Sequence, residues 1–317
     1  MTPTKAPSQT DLFFQDVISG LSGKNKSLPS KYLYDEKGSS LFDEICELDE
    51  YYLTRSEQSI IHENATLIAE QLDRNIVLVE LGSGSSTKTR AILSALVDPV
   101  AYVPVDISET HLLDTAGQLR TLYPDLEVLP VVADFTETFE IPIPQRPYSH
   151  IALFFPGSTI GNFPPDQASQ LLRRMAKMLG KQGGLLIGVD LQKEESQVLA
   201  AYNDAKGITS RFSLNLLTRI NRELDADFDI EKFQHKAIYD SVAHRIVISI
   251  QSLCAQTVCV REHKIEFEAN EEILTEYSHK YTVEGFAKFA GEHGFSLHQH
   301  WTDEQNLFGL LHLVLDD

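Results

Sequence analysis

Val77-Leu78-Val79-Glu80-Leu81-Gly82-Ser83-Gly84-Ser85-Ser86-Thr87-Lys88-Thr89 is the stretch whose reading decides the fold. Apolar residues run without a break, Glu80 excepted, from Ile76 to Leu81, the pattern of a parallel strand covered on both faces. The run then breaks into a Gly/Ser loop, and Arg90–Leu96 continues with helical character. Gly82 and Gly84 carry no Cβ, so the backbone can turn sharply and a ligand can approach it closely. A helix that starts directly after such a loop presents unpaired N–H groups. Strand, glycine loop and helix in this order predict a nucleotide-type site at the carboxyl end of the first strand of an open α/β sheet. A tight turn that binds nothing is the competing reading.

The loop lacks the G-x-x-x-x-G-K-[ST] spacing of a phosphate-binding loop and has only the first two glycines of G-x-G-x-x-G. It has acids instead. Glu80 lies near the end of its strand, and Asp106 ends the next, Ala101–Asp106, where a carboxylate suits ribose hydroxyls. An acidic loop without phosphate-binding features suits a positively charged cofactor carrying no phosphate, and S-adenosylmethionine fits that description.

A formal charge of -19 argues against a polyanionic partner, which needs a basic patch. A small or zwitterionic substrate is the expectation. Cys46, Cys254 and Cys259 are odd in number and form no C-x-x-C, which predicts reduced thiols in a cytoplasmic protein. Met1–Thr10 reads as a loose polar tail without an apolar leader core, and no apolar run reaches the ~18–20 residues of a membrane span.

Outward from the glycine loop, strands are expected at Ile76–Leu81, Ala101–Asp106, Glu127–Ala133, Ile151–Pro156 and Gly184–Leu191, with a helix over Pro165–Leu179. Asp134 ends the third of these strands, where it could accept from an adenine amino group, with Phe135 beside it to pack on the ring. A pair of solvated strand-end acids is the alternative. Gly157-Ser158-Thr159-Ile160-Gly161-Asn162 ends the fourth strand; a turn would explain the glycines but not Asn162, which can both donate and accept. Helices are read at Asp11–Leu21, Gln197–Lys206 and Leu214–Leu224. Lys236–Tyr239, Arg245–Leu253, Thr257–Val260 and Lys264–Phe267 alternate as an antiparallel meander, a second lobe inserted in the parallel domain. A helix over Thr282–Gly294 and antiparallel strands Leu297–Thr302 and Phe308–Leu315 return to the main sheet. The segment Lys31–Arg55, rich in Tyr and acids, is open between an amphipathic packing segment and a lid over a small-molecule pocket.

Tyr34-Asp35-x-x-Gly38-Ser39-x-Leu41-Phe42-x-x-Ile45, followed by Glu50-Tyr51-Tyr52-x-Thr54-Arg55, resembles the S-adenosylmethionine-dependent histidine Nα-methyltransferases of ergothioneine biosynthesis. The resemblance continues in order through the Gly82 loop, Gly157–Phe163, Ala201-Tyr202-Asn203-Asp204, Asn221-Arg222-Glu223-Leu224 and Glu276-Tyr277-Ser278-x-Lys280-Tyr281. It implies a Rossmann-like class I methyltransferase domain over 57–191 and 282–317, doubly wound and mostly parallel with antiparallel strands at its C-terminus. It also implies an α+β substrate-binding domain over 8–56 and 192–281. The expected partner is L-histidine, handled by a monomer without nucleic acid or membrane.

By the same resemblance, Glu80, Gly82, Gly84, Lys88, Asp106, Asp134 and Phe135 would hold the cofactor, Lys88 through the cofactor's carboxylate. Thr159 and Gly157 would line the methyl-acceptor position, and Asn162 and Tyr202 would hold the α-amino and α-carboxylate end. Tyr51, Glu276 and Ser278 would grip the imidazole, a carboxylate and a hydroxyl together satisfying both ring nitrogens, and Phe42 would also bind the substrate. On spacing alone, Glu276 reads instead as an exposed acid beside Lys280 at i,i+4. Some family members carry a Met in the strand lining this pocket, where the present chain has Arg245-Ile246-Val247-Ile248. Nα-methylation of tryptophan or tyrosine, and a ligand-binding protein without turnover, are the other readings.

No metal is expected. His298 and His300 form an H-x-H pair, but no third ligand stands at a convincing spacing. A Ser-His-Asp hydrolase would need a G-x-S-x-G elbow, which Gly82-Ser83-Gly84-Ser85 does not supply.

Overall fold

The computed structural model describes residues 8–84, 86–180 and 183–315. Their contacts divide the chain into two compact units. One comprises residues up to Glu50, Glu195–Ser241 and Ile246–Tyr277; the other comprises Tyr51–Glu194, Val242–Arg245 and the residues from Ser278 onward.

The second unit is built on an eight-stranded sheet. Its order is Phe295–Thr302, Phe308–Leu315, Gly184–Asp190, Ile151–Phe155, Val77–Leu81, Ala101–Asp106 and Glu127–Val128, with Val131–Val132 also pairing Ala101–Asp106. The strands from Gly184–Asp190 to Glu127–Val128 pair in parallel. Phe308–Leu315 and Phe295–Thr302 join antiparallel. The expected third strand is broken: Leu129 and Pro130 separate its two short pieces, since Pro130 offers no N–H to a ladder. Every residue of Val77–Leu81 and Gly184–Asp190 is buried, which is why both read as continuous apolar runs. Helix Pro165–Leu179 lays Ala168, Leu171, Leu172, Met175 and Leu179 on the core.

Chain order runs outward from Val77–Leu81 to Glu127–Val128 and then returns to Ile151–Phe155 on the other side. The order therefore reverses between Val77–Leu81 and Ile151–Phe155, and ligands of open α/β sheets bind in the crevice at the carboxyl ends beside such a reversal. Tyr52–Leu72 is a 21-residue helix that the sequence reading did not resolve. Its buried stripe includes Leu53, Glu57, Ile60, Ile61 and Ile68.

In the first unit, helix Gln9–Ser22 begins two residues ahead of the expected start. Ser8 caps it, its Oγ accepting from Asp11 N at 3.1 Å while Asp11 Oδ2 accepts from Ser8 N at 3.1 Å. Residues 1–7 of the expected tail, and Ser85 of the loop, lie outside the described residues. The expected four-strand meander is two separate pieces. Phe233–Asp240 and Arg245–Ser252 belong to a four-stranded sheet ordered Lys26–Ser27, Glu272–His279, Arg245–Ser252, Phe233–Asp240, while Gln256–Val260 and His263–Phe267 form their own hairpin. Helix Ile208–Leu224 starts six residues before its expected position, because the Asp204 carboxylate accepts from Ile208 N and Thr209 N at 2.8 Å each and satisfies its first turn. Helix Glu195–Tyr202, in turn, stops four residues short of the expected Lys206.

Candidate active site

The glycine loop has the backbone that its residues permit. Gly82 and Gly84 have φ of 73° and 47°, in the left-handed region that glycine enters without a Cβ clash. Gly82 N and Ser83 N donate to Val105 O at 2.8 and 3.2 Å. Asp106 braces the same loop: its Oδ2 accepts from Gly84 N at 3.0 Å and its Oδ1 from Ser108 N at 2.9 Å. A Cβ on Gly82 would lie 3.5 Å from the Phe135 ring, and one on Gly84 would meet nothing within 4 Å. Phe135 is held edge-on by Phe155 and Phe163, with ring centroids 5.4 and 6.3 Å away. Asp134 Oδ1 accepts from Thr136 N at 2.9 Å. A bare loop backbone, an aromatic face and two carboxylate acceptors are a set of groups that fits an adenosyl group without phosphates.

Glu80 is placed differently from the expectation that it meets a ribose. It is 1% exposed, and its Oε2 accepts from Thr89 Oγ1 at 2.6 Å and from the Tyr102 hydroxyl. The carboxylate is turned into the packing, where it ties the helix after the loop to the neighbouring strand. Burial raises its pKa to about 7 against the opposing pull of those two hydrogen bonds. Burial, then the charge of Glu80, raises the Tyr102 phenol well above its ordinary value.

The loop after Ile151–Phe155 is held from below. Gly157 and Ser158 have φ of 75° and 59°, and Thr159–Asn162 closes as a 3-10 turn. Thr159 Oγ1 donates to Pro156 O at 2.8 Å, and Asp190 N donates to Ser158 Oγ at 2.8 Å. His279 Nδ1 donates to Gly161 O at 2.7 Å, which places that ring's proton on Nδ1. A Cβ on Gly161 would sit 2.9 Å from His279 O, so only glycine allows this approach.

Two buried ionic groups flank that loop. Glu57, 0% exposed, pairs with Lys88 Nζ at 2.5 Å and accepts from Gly157 N at 3.0 Å with each oxygen. The Lys88 ammonium, the expected partner of a cofactor carboxylate, is paired with Glu57 in this structure. Asp190 accepts from the Tyr52 hydroxyl at 2.8 Å, from Lys193 Nζ at 2.5 Å and from Lys280 Nζ at 2.6 Å. Burial lowers the Lys193 pKa against the attraction of Asp190.

The remaining candidates fall on both units. Tyr51 precedes the first turn of Tyr52–Leu72 in the second unit, 8% exposed, and Ser278 is buried there. In the first unit, Phe42 packs with Tyr34 and Phe212, centroids 5.6 and 6.0 Å away. Tyr202 ends helix Glu195–Tyr202, and its carbonyl accepts from His235 Nε2 at 2.9 Å. Burial lowers the His235 pKa against the opposing pull of the Tyr202 carbonyl and the Asp204 charge. Glu276 lies in strand Glu272–His279 and is half-buried. The i,i+4 reading of Glu276 with Lys280 requires a helix and fails in a strand; Lys280 turns instead to Asp190 and Ser278.

His298 and His300 are exposed, and among the described residues no group of three or more His, Cys, Asp and Glu is placed to hold a metal. Glu57 and Asp190 are functional-site residues that the sequence pattern did not single out, and Lys280 read only as a neighbour of Glu276. Glu57 had a legible signal, an acid at the i+4 position of the apolar stripe Leu53, Ile60, Ile61. Asp190 ended a parallel strand as Asp106 does.

A family model described as "Histidine-specific methyltransferase, SAM-dependent" matches residues 13–315. A histidine N-alpha-methyltransferase of Mycobacterium tuberculosis is 40% identical over 303 residues, covering 93% of this chain and 92% of that protein. Its counterpart in Mycolicibacterium smegmatis is 38% identical, covering 96% and 95%. Ergothioneine biosynthesis protein 1 of Schizosaccharomyces pombe is 33% identical over 251 residues, 76% of this chain and 32% of that protein.

Proposed function

This chain belongs to the histidine-specific, S-adenosylmethionine-dependent methyltransferase family, and we propose that it methylates the α-amino group of L-histidine to Nα,Nα,Nα-trimethylhistidine in ergothioneine biosynthesis. The observation that carries this reading is the match over residues 13–315, with the glycine loop and the Gly157 loop on either side of the strand-order reversal.

S-adenosylmethionine, when bound, supplies a methyl group on a sulfonium, an electrophile that needs no metal. Gly82, Gly84, Asp106, Asp134 and Phe135 would hold its adenosyl part, with Glu80 anchoring the loop from behind. Lys88 would meet its carboxylate. Gly157 and Thr159 line the acceptor position, where the absence of a side chain on Gly157 leaves room for the amine. Asn162 and Tyr202 orient the amino and carboxylate groups of the substrate, and this positioning lowers the barrier by several kcal/mol, on the order of what oriented intramolecular reactions gain. Tyr51, Glu276 and Ser278 would grip the imidazole, Glu276 accepting from one ring nitrogen, and Phe42 would also bind the substrate. The amine must arrive unprotonated; removing it from water lowers its pKa, and polar side chains carry the proton off.

The reading assigns cofactor binding to 57–191 and 282–317 and amino-acid binding to 8–56 and 192–281. It takes the enzyme to be a cytoplasmic monomer. The charge of -19 supports the exclusion of nucleic acid, and among the described residues no helix is long and apolar enough to cross a membrane.

Calorimetric titration of L-histidine, tryptophan and tyrosine, with S-adenosylhomocysteine present, tests the substrate. Mass analysis with the active cofactor then tests the reaction. Histidine binding with products gaining up to three methyl groups is expected. Preference for tryptophan or tyrosine would overturn the substrate and the roles of Glu276 and Ser278.

A further inference from the structure

We propose that Glu57 is a positioning residue that bridges the two sides of the strand-order reversal, holding the lysine of the cofactor side and the backbone of the acceptor side with one carboxylate. The inference deepens the proposed function and rests on it for the names of the two sides.

The geometry is specific. Lys88 lies in the helix that follows Val77–Leu81, and Gly157 lies in the loop that follows Ile151–Phe155. These are the two strands between which the chain order reverses. Glu57 comes from neither; it projects from helix Tyr52–Leu72 and is the acid among that helix's buried residues. Its carboxylate meets the ammonium at 2.5 Å and the Gly157 N–H at 3.0 Å with both oxygens. Gly188 is cut away to admit it: a Cβ there would lie 2.5 Å from Glu57 Oε1. The position a Gly157 Cβ would take is 3.6 Å from both Lys88 Nζ and Thr159 Oγ1. One buried acid therefore sets where the lysine stands and how the acceptor loop is registered against it.

A wholly buried carboxylate is costly unless paired, and burying one here for stability alone has little return, because apolar replacement of buried ion pairs is often neutral or better. Its value is geometric. Charge-assisted bonds are short and directional, and they fix two loops that no strand ladder joins beyond Leu81 and Phe155.

The test uses the full chain. Glu57→Gln keeps an amide oxygen for Gly157 and removes the charge that holds Lys88. Two results are expected in the folded variant: S-adenosylhomocysteine Kd by calorimetry rises about fivefold or more, and kcat at saturating substrates falls about tenfold or more. The Gly157 amide proton, read by NMR without any ligand, shifts upfield as its charged acceptor is lost. Lys88→Met weakens S-adenosylhomocysteine and, by stripping a buried carboxylate of its counter-charge, moves that resonance less than Glu57→Gln does. A folded Glu57→Gln variant in which either the affinity or kcat stays within about twofold of wild type overturns the proposal, because a bridge acts on both sides. If Glu57→Gln does not fold, the Glu57→Gln/Lys88→Met double leaves no buried charge unpaired. Its kcat must then fall about tenfold below that of Lys88→Met, and equality overturns the proposal. If the wild-type chain methylates no histidine, the proposed substrate falls. The amide shift and the S-adenosylhomocysteine titration then decide Glu57 by themselves, an unmoved resonance overturning the bridge.

Discussion

Ser278 Oγ accepts a hydrogen bond of 2.6 Å from Lys280 Nζ, and the same ammonium reaches Asp190 Oδ2 at 2.6 Å. An ammonium only donates, so Ser278 is the acceptor in this bond and its own proton is directed away from Lys280. One buried cation thus links the end of a parallel strand to a hydroxyl assigned to the substrate.

Lys280→Met removes a cation whose side chain is 0% exposed and leaves Asp190 with Lys193 as its remaining ammonium partner among the described residues. Breaking a buried pair from one side costs about 3 kcal/mol, and Lys280→Met/Asp190→Asn should cost more still, because it also strips the buried Lys193 ammonium of its carboxylate. Urea unfolding of the two variants and wild type measures the difference.

Glu80 makes the fold less stable as pH rises. Its folded pKa of about 7 lies above the ordinary 4.5, so the stability it contributes is complete below pH 4.5 and lost as pH climbs through 7. The shift corresponds to about 3 kcal/mol. Glu80→Gln should abolish this loss, and unfolding free energies at pH 5 and pH 8 for both proteins check it.

His312 has the opposite slope. Burial, then the charges of His298 and His150, lower its pKa from 6.5 to about 4, and its Nδ1 is buried without a hydrogen-bond partner. Its contribution is complete above pH 6.5 and lost as pH falls through 4, again about 3 kcal/mol. Glu80 and His312 therefore offset each other between about pH 4.5 and 6.5 in wild type. His312→Leu should unmask the Glu80 slope, giving a protein that weakens steadily from pH 5 to pH 7 in the same unfolding assay.

Gly161→Ala places a methyl 2.9 Å from His279 O and 3.2 Å from His279 N, both backbone atoms that cannot rotate aside. A cost of about 1–3 kcal/mol is expected, the range for forced overpacking. The turn carrying Thr159 and Asn162 moves with it, so kcat for histidine should fall while S-adenosylhomocysteine affinity changes little. Parallel calorimetry and steady-state kinetics separate the two.

Asp106→Ala removes the acceptor for Gly84 N and Ser108 N together. Cofactor affinity should fall about tenfold, because the loop loses its brace as well as a carboxylate. Unchanged S-adenosylhomocysteine binding would remove Asp106 from the cofactor site.

The amino-acid sequence by itself determined the parallel sheet and its glycine loop. Strands buried on both faces must read as apolar runs, and only glycine enters the conformations at Gly82 and Gly84 freely. The long ordered strings around Tyr51, Asn162, Tyr202 and Glu276 also made the family legible. Local pattern did not determine partners. Whether Glu80 faces a ligand or Tyr102, whether Lys88 stands on Glu57, and whether Lys280 pairs with Glu276 or with Asp190 90 residues away depend on which backbone segments the fold brings together. A charge inside a protein is costly unless the fold supplies a counter-charge or hydrogen bonds beside it. Tertiary packing alone brings Glu57 to Lys88 and Asp190 to Lys280.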